Sequence, residues 1–471
     1  MRKTPLAVAL VAAAVLTIAG CTTTPTAPPP LDLPAGTAND PALERWWLAF
    51  NDPKLVALVD EALAKNLDLR AAISRIDTAR SQVKLAQSDL FPIINLGVDA
   101  TRSRQTEVGS FPLFGFPPVN NDYRVGVNAS YEVDLWGKYR TSTRAAQDDL
   151  LASQYARETV RTVVAAEVAQ TYFQLLATDA QLKLLEDTLK TRTETVALQR
   201  DRYQGGIIGE YDLAQAEAER AAVAADVAAT QRASAQFESA LAVLLGRTPR
   251  EIFEAKVERD VEMARLLGVP SLPEGLPSNL LERRPDIRSA EAQLAGANRR
   301  IDVARADYFP SLSLTGSYGS ESAALHNLFS GPAAIWSIGA ALVQPLIGLK
   351  AIEANVEAKT AQRDQVVIGY EQTVQTAFKE THDALVANQT TREALAAQSE
   401  RAAKLQHAVE LADIRYRSGY SPYLEVLDAQ RQLLQAQTLQ ILAARDVRLA
   451  VVDLAKAMGG GWEYKTAVAG S

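Results

Sequence analysis

The sequence predicts a membrane protein of mixed α and β structure, built as a tandem repeat, whose strands close a transmembrane barrel only when several copies assemble. Three observations lead there. Two pairs of segments alternate apolar and polar residues. Two very long stretches carry almost no helix breaker. The second half of the 471-residue chain repeats the first at a nearly constant offset. Tyr203 to Tyr416, Gly206 to Gly419 and Gly246 to Gly459 are each 213 residues apart; Phe91-Pro92 to Phe309-Pro310 is 218, and Gly137 to Gly348 is 211. Repeats of this size bury their apolar faces against one another, so the chain is read as one elongated array.

Composition narrows the class. A net charge of −7 without a basic cluster argues against nucleic acid as a partner. Few aromatics and abundant Ala and Gln suit helices packed side by side. Residues 1–20 read as a signal peptide: Arg2 and Lys3 precede an apolar run from Leu6 to Ala19 that is too short for a comfortable membrane span. The run ends Leu16-Thr17-Ile18-Ala19-Gly20-Cys21, which looks like a lipobox, and Cys21 is the only cysteine of the chain. The expectation is a covalent lipid on Cys21, no other cofactor and no disulfide. Thr22 follows where an inner-membrane retention signal has Asp, so the outer membrane is the expected address. Residues 21–50 form a tether, extended and Thr/Pro-rich to Pro34. No later segment is apolar enough for a membrane helix, so any crossing must use strands.

The first repeat covers 51–246. Asn51-Asp52-Pro53 predicts a capped helix to about Lys65, and Asp68 is read as the cap of a second that ends before Phe91-Pro92. A β-hairpin follows at about 93–133. Ile94, Leu96, Val98 and Ala100 share one face of its first strand; Tyr123, Val125, Val127, Ala129, Tyr131 and Val133 share one face of its second. The loop between them is placed at Gly109 to Asn121. Leu135-Trp136-Gly137-Lys138 turns the chain into a rod from about Tyr139 to Tyr203, free of Pro and Gly and about 100 Å long. Val168, Leu175, Leu182, Leu189, Val196 and Tyr203 recur every seven residues along it, a coiled-coil seam. The Gly205–Gly209 turn leads into an Ala-rich return helix. After a linker at 247–276, the second repeat at 277–459 restates the plan, with a hairpin at about 311–343, helices at about 348–459 and a tail at 460–471. Leu312, Leu314 and Tyr318 alternate with serines, and Trp336, Ile338, Ala340 and Leu342 with Ser337, Gly339 and Ala341.

Strands of this kind suit a transmembrane hairpin; a half-buried hairpin in a soluble sandwich is the rival reading. Four strands cannot close a barrel, and open edges are not tolerated in lipid. Two chains would give a barrel filled by its own side chains, whereas three leave a lumen. The expected fold is therefore a homotrimer with one twelve-stranded barrel, four strands per chain, continued by a barrel of long helices.

Four separated motifs then point to a family. Trp46-Trp47-Leu48-Ala49-Phe50-Asn51-Asp52-Pro53-Lys54-Leu55, Tyr131-Glu132-Val133-Asp134-Leu135-Trp136-Gly137-Lys138, Leu281-Glu282-Arg283-Arg284-Pro285-Asp286-Ile287 and Met458-Gly459-Gly460-Gly461-Trp462 resemble signatures of the TolC-like outer-membrane efflux channels. The resemblance is to the lipoprotein branch typified by OprM, also called the NodT type, and covers nearly the whole mature chain. It implies a trimer in the outer membrane of a Gram-negative cell, extending into the periplasm. It also implies a tripartite pump with a periplasmic adaptor and an inner-membrane transporter of the proton-driven resistance-nodulation-division class, exporting small molecules such as drugs.

The resemblance also assigns sites. Leu424, Asp428 and Arg431, spaced on one helix stripe, would line the periplasmic aperture; unaided, the sequence shows only an exposed Asp–Arg pair. Leu427, Leu434 and Ile441 form a neighbouring stripe, read as the seam. At the 213 offset, Asp428 and Arg431 become Gln215 and Ala218, so one hairpin per chain should carry the charged constriction. Gly205, Gly206, Ile207, Gly419 and Tyr420 would be adaptor-contacting tips, though turn chemistry alone also explains them. Phe91, Trp136 and Phe309 would mark the inner girdle of the barrel, with plain packing at the strand–helix corner as the alternative. Trp46 and Trp47 are read as core anchors.

No enzyme is expected. His326, His382 and His407 lack metal-ligand spacing, and Gly205-Gly206-Ile207-Ile208-Gly209 lacks the Lys-Ser/Thr of a phosphate loop. The leading function is a passive exit duct. The alternatives are an outer-membrane conduit for type I protein secretion and a structural envelope coiled coil without a pore.

Overall fold

The computed structural model describes residues 44–106, 117–254, 257–259 and 280–461. Cys21 and its lipobox, the tether to Pro34, Trp462 and most of the tail lie outside the described residues, as do parts of the first hairpin loop and of the linker. The chain divides into two units whose boundaries fall inside long helices.

One unit takes its described residues from 76–152 and 290–370 and carries all the strands. β1 (Ile93–Arg104), β2 (Val119–Val133), β3 (Ser311–Ser322) and β4 (Ala334–Val343) form a single antiparallel sheet in the order β1-β2-β3-β4. Register follows the alternation. Leu96 pairs with Val127 and Val127 with Tyr318, which pairs in turn with Trp336. Asn95, Asn128, Ser317 and Ser337 form the corresponding polar row. A slip of one residue would turn every side chain to the wrong face, so burial of one face specifies the register. Two details depart from expectation. β2 begins at Val119, which pairs with Arg104, so the first loop ends before Asn121. The second hairpin is also slipped by two residues: Ile94 pairs with Ala129, but Leu312 pairs with Leu342 instead of Ala340. An even slip preserves the faces. At Gly319 the strands come so close that a Cβ would lie 2.3 Å from the Val125 carbonyl oxygen, so only glycine fits.

The other unit takes its described residues from 44–75, 153–289 and 371–461. α1 (Pro53–Lys65) starts at Asp52, whose Oδ1 accepts from the Lys54 and Leu55 amides at 2.9 and 3.2 Å. α2 (Leu67–Ser88) is capped by Asn66 and not by Asp68: Asn66 Oδ1 accepts from the Asp68 and Leu69 amides, and its Nδ2 donates to the Leu244 carbonyl at 2.9 Å. An amide does both jobs, which a carboxylate cannot. α3 (Lys138–Gln204, 67 residues) and α4 (Glu210–Leu244, 35 residues) make the first helical hairpin. After α5 (Pro285–Ala306), α6 (Lys350–Arg417, 68 residues) and α7 (Tyr423–Ala457, 35 residues) make the second. Pro422 is the N-cap of α7, outside its first turn.

Both hairpins use the same end chemistry. Gly206 and Gly419 at the turns, and Gly246 and Gly459 after the return helices, all adopt positive φ between 68° and 78°. At each, the following amide reaches back to a carbonyl five residues earlier, for example Ile207 to Arg202 at 2.9 Å and Tyr420 to Arg415 at 2.9 Å. This is the Schellman closure, for which glycine lacks the Cβ penalty. The 3-10 turn Trp46–Phe50 buries both tryptophans in a core with Leu55, Tyr172, Leu175, Leu241 and Leu454. Along the α3 seam Val168, Leu175 and Val196 are buried, Leu182 and Leu189 are half-buried, and Tyr203 is exposed. Each fully buried aliphatic contributes about 1.5–3 kcal/mol.

Candidate functional site

The sheet presents two chemically opposite faces. Ile94, Leu96, Val98, Tyr318, Trp336 and Ile338 stand on one, all exposed in the single chain. On the other, Arg124 donates to Glu321 at 2.6 Å, and Ser317 hydrogen-bonds Ser337 at 2.8 Å. A contiguous apolar face this large is not left to water. The outer strands β1 and β4 each have one edge without a partner within the sheet.

At the strand–helix corner, Trp136 stacks on Phe309 with ring centroids 4.8 Å apart and planes 25° apart, and its Nε1 donates to the Pro310 carbonyl at 2.8 Å. Lys138 pairs with Asp307 at 2.6 Å beside it. Phe91, the third aromatic assigned to this girdle, is 68% exposed. The structure thus brings Trp136 and Phe309 together and leaves Phe91 at the edge strand.

The two helical turns place Ile207 (75% exposed) and Tyr420 (81% exposed) outward, each one residue after its left-handed glycine. Behind the second turn Tyr416 packs on Tyr423 at 5.7 Å, and Arg202 lies over the Tyr416 ring while donating to its hydroxyl at 2.6 Å.

The first turns of α7 carry Leu424, Asp428 and Arg431. Leu424 and Asp428 are exposed, while Leu427 on the adjoining stripe is fully buried, with Leu434 half-buried and Ile441 buried further along. Asp428 accepts from Gln432 Nε2 at 2.7 Å. Arg431 does not pair with Asp428. Its guanidinium donates to Glu219 on α4, which joins the two return helices. The Arg431 hydrogen bond holds the Glu219 carboxyl below its ordinary pKa, and Glu219 raises that of Arg431. Beneath this pair Arg192 of α3 is buried and donates to Gln430 of α7. Burial pushes its guanidinium down, partly offset by Tyr423 and Glu219; burial also raises the Tyr423 hydroxyl. Sequence reasoning missed Glu219 and Arg192. The 213 offset maps Arg431 onto Ala218, one residue short of Glu219. The available signal was Arg192, a charge on the α3 stripe next to Val196. Among the described residues no group of His, Cys, Asp and Glu has metal-binding geometry.

A two-faced antiparallel sheet joined to paired helical hairpins, twice in one chain, is the architecture of a known family. The chain matches the outer membrane efflux protein family over residues 58–247 and 276–460. It belongs to that family. It is similar to the toluene efflux pump outer membrane protein TtgC of Pseudomonas putida, with 35% identity over 94% of this chain and 92% of that one. Similarity to the outer membrane protein OprJ of Pseudomonas aeruginosa is 34% over 98% and 97%. Among solved structures, the Campylobacter jejuni CmeC outer membrane channel superposes with a TM-score of 0.86 at 29% identity, covering 93% of this chain and 96% of that one. The open Neisseria gonorrhoeae MtrE channel gives 0.78 at 30%, covering 93% and 99%. The resemblance carried by the four sequence motifs is therefore correct. The chain is an outer-membrane efflux channel protein of the TolC-like kind, with four strands per chain and long helical hairpins. It acts as the exit duct of an efflux pump in the outer membrane of a Gram-negative cell.

Proposed function

We propose that three copies of this chain close one barrel of twelve strands in the outer membrane and pass small molecules, drugs and solvents among them, out of the periplasm without an energy source of their own. The observation that carries this reading is the sheet: four strands, one continuous apolar face, one polar face, and an unpaired edge on each side. In lipid those edges must pair, and pairing β4 of one copy with β1 of the next is the arrangement that closes a ring. Three copies leave a lumen lined by the polar rows of Asn95, Asn128 and Ser317.

The remaining assignments follow the same frame. The turns at Gly205, Gly206, Ile207 and at Gly419, Tyr420 meet a periplasmic adaptor, which links the duct to a proton-driven inner-membrane transporter of the resistance-nodulation-division class. Leu424, Asp428 and Arg431 form the aperture, held closed by the Arg431–Glu219 link. Cys21 carries the lipid anchor. Purified protein should have the native mass of a trimer and conduct ions in planar bilayers. A monomer that does not conduct would sink the reading. Mass spectrometry of the N-terminal peptide tests the lipid separately, and an unmodified Cys21 would remove the anchor.

A further inference from the structure

The junction between the two repeats within one chain is a template for the joint between copies. At β2–β3 the first repeat meets the second; in a closed ring, β4–β1 is where the second repeat meets the first repeat of the next copy. Displaced by the repeat offsets of 211 and 218, Trp136 becomes Ile347, and Phe309 becomes Phe91. Within the chain the first pair stacks at 4.8 Å. Its two counterparts lie bare at opposite edges: Ile347 is 94% exposed, its neighbour Leu346 82%, and Phe91 68%. The same displacement turns the observed pairs Tyr131–Leu314 and Asn128–Ser317 into Leu342–Leu96 and Gly339–Asp99. Leu342 and Leu96 both belong to the apolar face and Gly339 and Asp99 both to the opposite one, so the displaced template keeps the two faces of the sheet continuous.

The charges behave differently. Within the chain the junction is ionic: Lys138 pairs with Asp307, Arg124 with Glu321, Arg299 with Asp148 and Arg300 with Asp149. Carried across the ring, Lys138–Asp307 becomes Leu349–Asp89 and Arg124–Glu321 becomes Ile335–Ser103. Arg299 and Arg300 become Ser81 and Gln82, facing a stretch, 359–362, that contains no acid. Every ion pair is lost, while the corner gains Leu346, Ile347 and Leu349 in place of Leu135, Trp136 and Lys138. Charged pairs would impose desolvation whenever separate copies met, whereas apolar contacts associate without it.

We propose that the apolar corner Leu346–Ile347–Leu349 of one copy covers Phe91 of the next, forming a clasp without an ion pair at the base of the barrel. This rests on the ring reading above. The two-residue slip of the second hairpin moves either Ile347 or Leu349 over Phe91, and both are apolar. The test uses the full-length protein in membranes, where Cys21 is the only native cysteine. The double variants Ile347→Cys/Phe91→Cys and Leu349→Cys/Phe91→Cys are treated with a short bis-maleimide, beside Trp136→Cys/Phe309→Cys as an internal control. Covalent dimer and trimer in at least one double variant, absent from the single variants, supports the clasp. A trimeric native mass without covalent bands, with the control reacting inside its own chain, overturns the clasp and leaves the ring. Bands from the single variants would place like residues face to face and overturn it too. A monomeric mass overturns the ring reading itself.

Discussion

The two helical hairpins are nearly the same object in backbone and different objects in chemistry. α3 and α6 have 67 and 68 residues, α4 and α7 have 35 each, and glycines in the left-handed region close them at equivalent positions. One divergence lies just past the turns. Gln215 and Ala218 of the first copy stand where the second has Asp428 and Arg431. Arg431 spends its charge on Glu219 of the other copy. Duplication thus preserved what the backbone requires and released the helix faces, and the residues proposed for the aperture lie in what was released.

The largest effects should come from breaking the shared part. A Cβ on Gly246 would lie 2.4 Å from the Lys65 carbonyl oxygen, and on Gly459 2.9 Å from that of Arg283, while Gly206 and Gly419 have nothing within 4 Å. All four sit at positive φ, so any alanine costs about 1 kcal/mol or a little more in backbone strain. Gly206→Ala and Gly419→Ala should stop there. Gly459→Ala should cost more, and Gly246→Ala most, about 4 kcal/mol, because backbone cannot move aside cheaply. Thermal melts of detergent-purified protein check the order; equal losses at Gly206 and Gly246 would refute close approach as the cause.

This shared part is also what the sequence displays openly. Glycine at a left-handed corner and strict alternation along a strand are local requirements, so they survive as spacing and periodicity in one dimension. The caps, the side-chain pairs and the hairpin register do not. Asp68 looked like the cap of α2 because its carboxylate is well placed in sequence; Asn66 wins because it also satisfies the Leu244 carbonyl, 178 residues away. Arg431 looked like the partner of Asp428 because they share a stripe. Glu219 takes it because α4 and α7 lie side by side, which no spacing rule reports. The two-residue slip of β4 preserves the alternation and therefore leaves no trace in it.

The next effect separates the copies at the aperture. Glu219 is largely buried and Arg431 partly exposed, so removing Arg431 strands a carboxylate that was held low. Arg431→Ala should loosen closure by about 1 kcal/mol, a shift of roughly fivefold toward conducting states. Asp428→Ala, which loses a bond to Gln432 and a longer-range attraction to Arg431 but strands no buried charge, should do less. Single-channel recordings decide, and a larger effect at Asp428 would return the aperture to the Asp428 carboxylate. Acid gives a related test. The hydrogen bond from Arg431 holds the Glu219 carboxyl below its ordinary pKa, so the link is fully formed above that ordinary value and is lost as pH falls through the lower folded value. Closure should hold at neutral pH and weaken only below the ordinary carboxylate range, and an Arg431→Ala channel should lose this acid response. Opening between pH 5 and 7 would point to another group.

The smallest effect tests whether position alone makes an aperture residue. In the ring, the counterpart of Glu219–Arg431 is Gln432 of one copy with Ala218 of the next, since both lie 213 residues from their equivalents. Neither is charged. Ala218→Arg by itself should therefore change closed-state conductance little and stability by less than about 0.5 kcal/mol, because its nearest equivalent partner is an amide. Adding Gln432→Glu supplies the acid and should restore the pairing logic between copies, deepening closure by a few tenths to about 1 kcal/mol at low salt and by less at high salt. If Ala218→Arg alone tightens the channel, some acid other than the Glu219 equivalent faces that position. If the double variant does nothing at any ionic strength, the two copies approach each other differently across the joint than within the chain. The backbone duplication would then not extend to the spacing of the return helices around the ring.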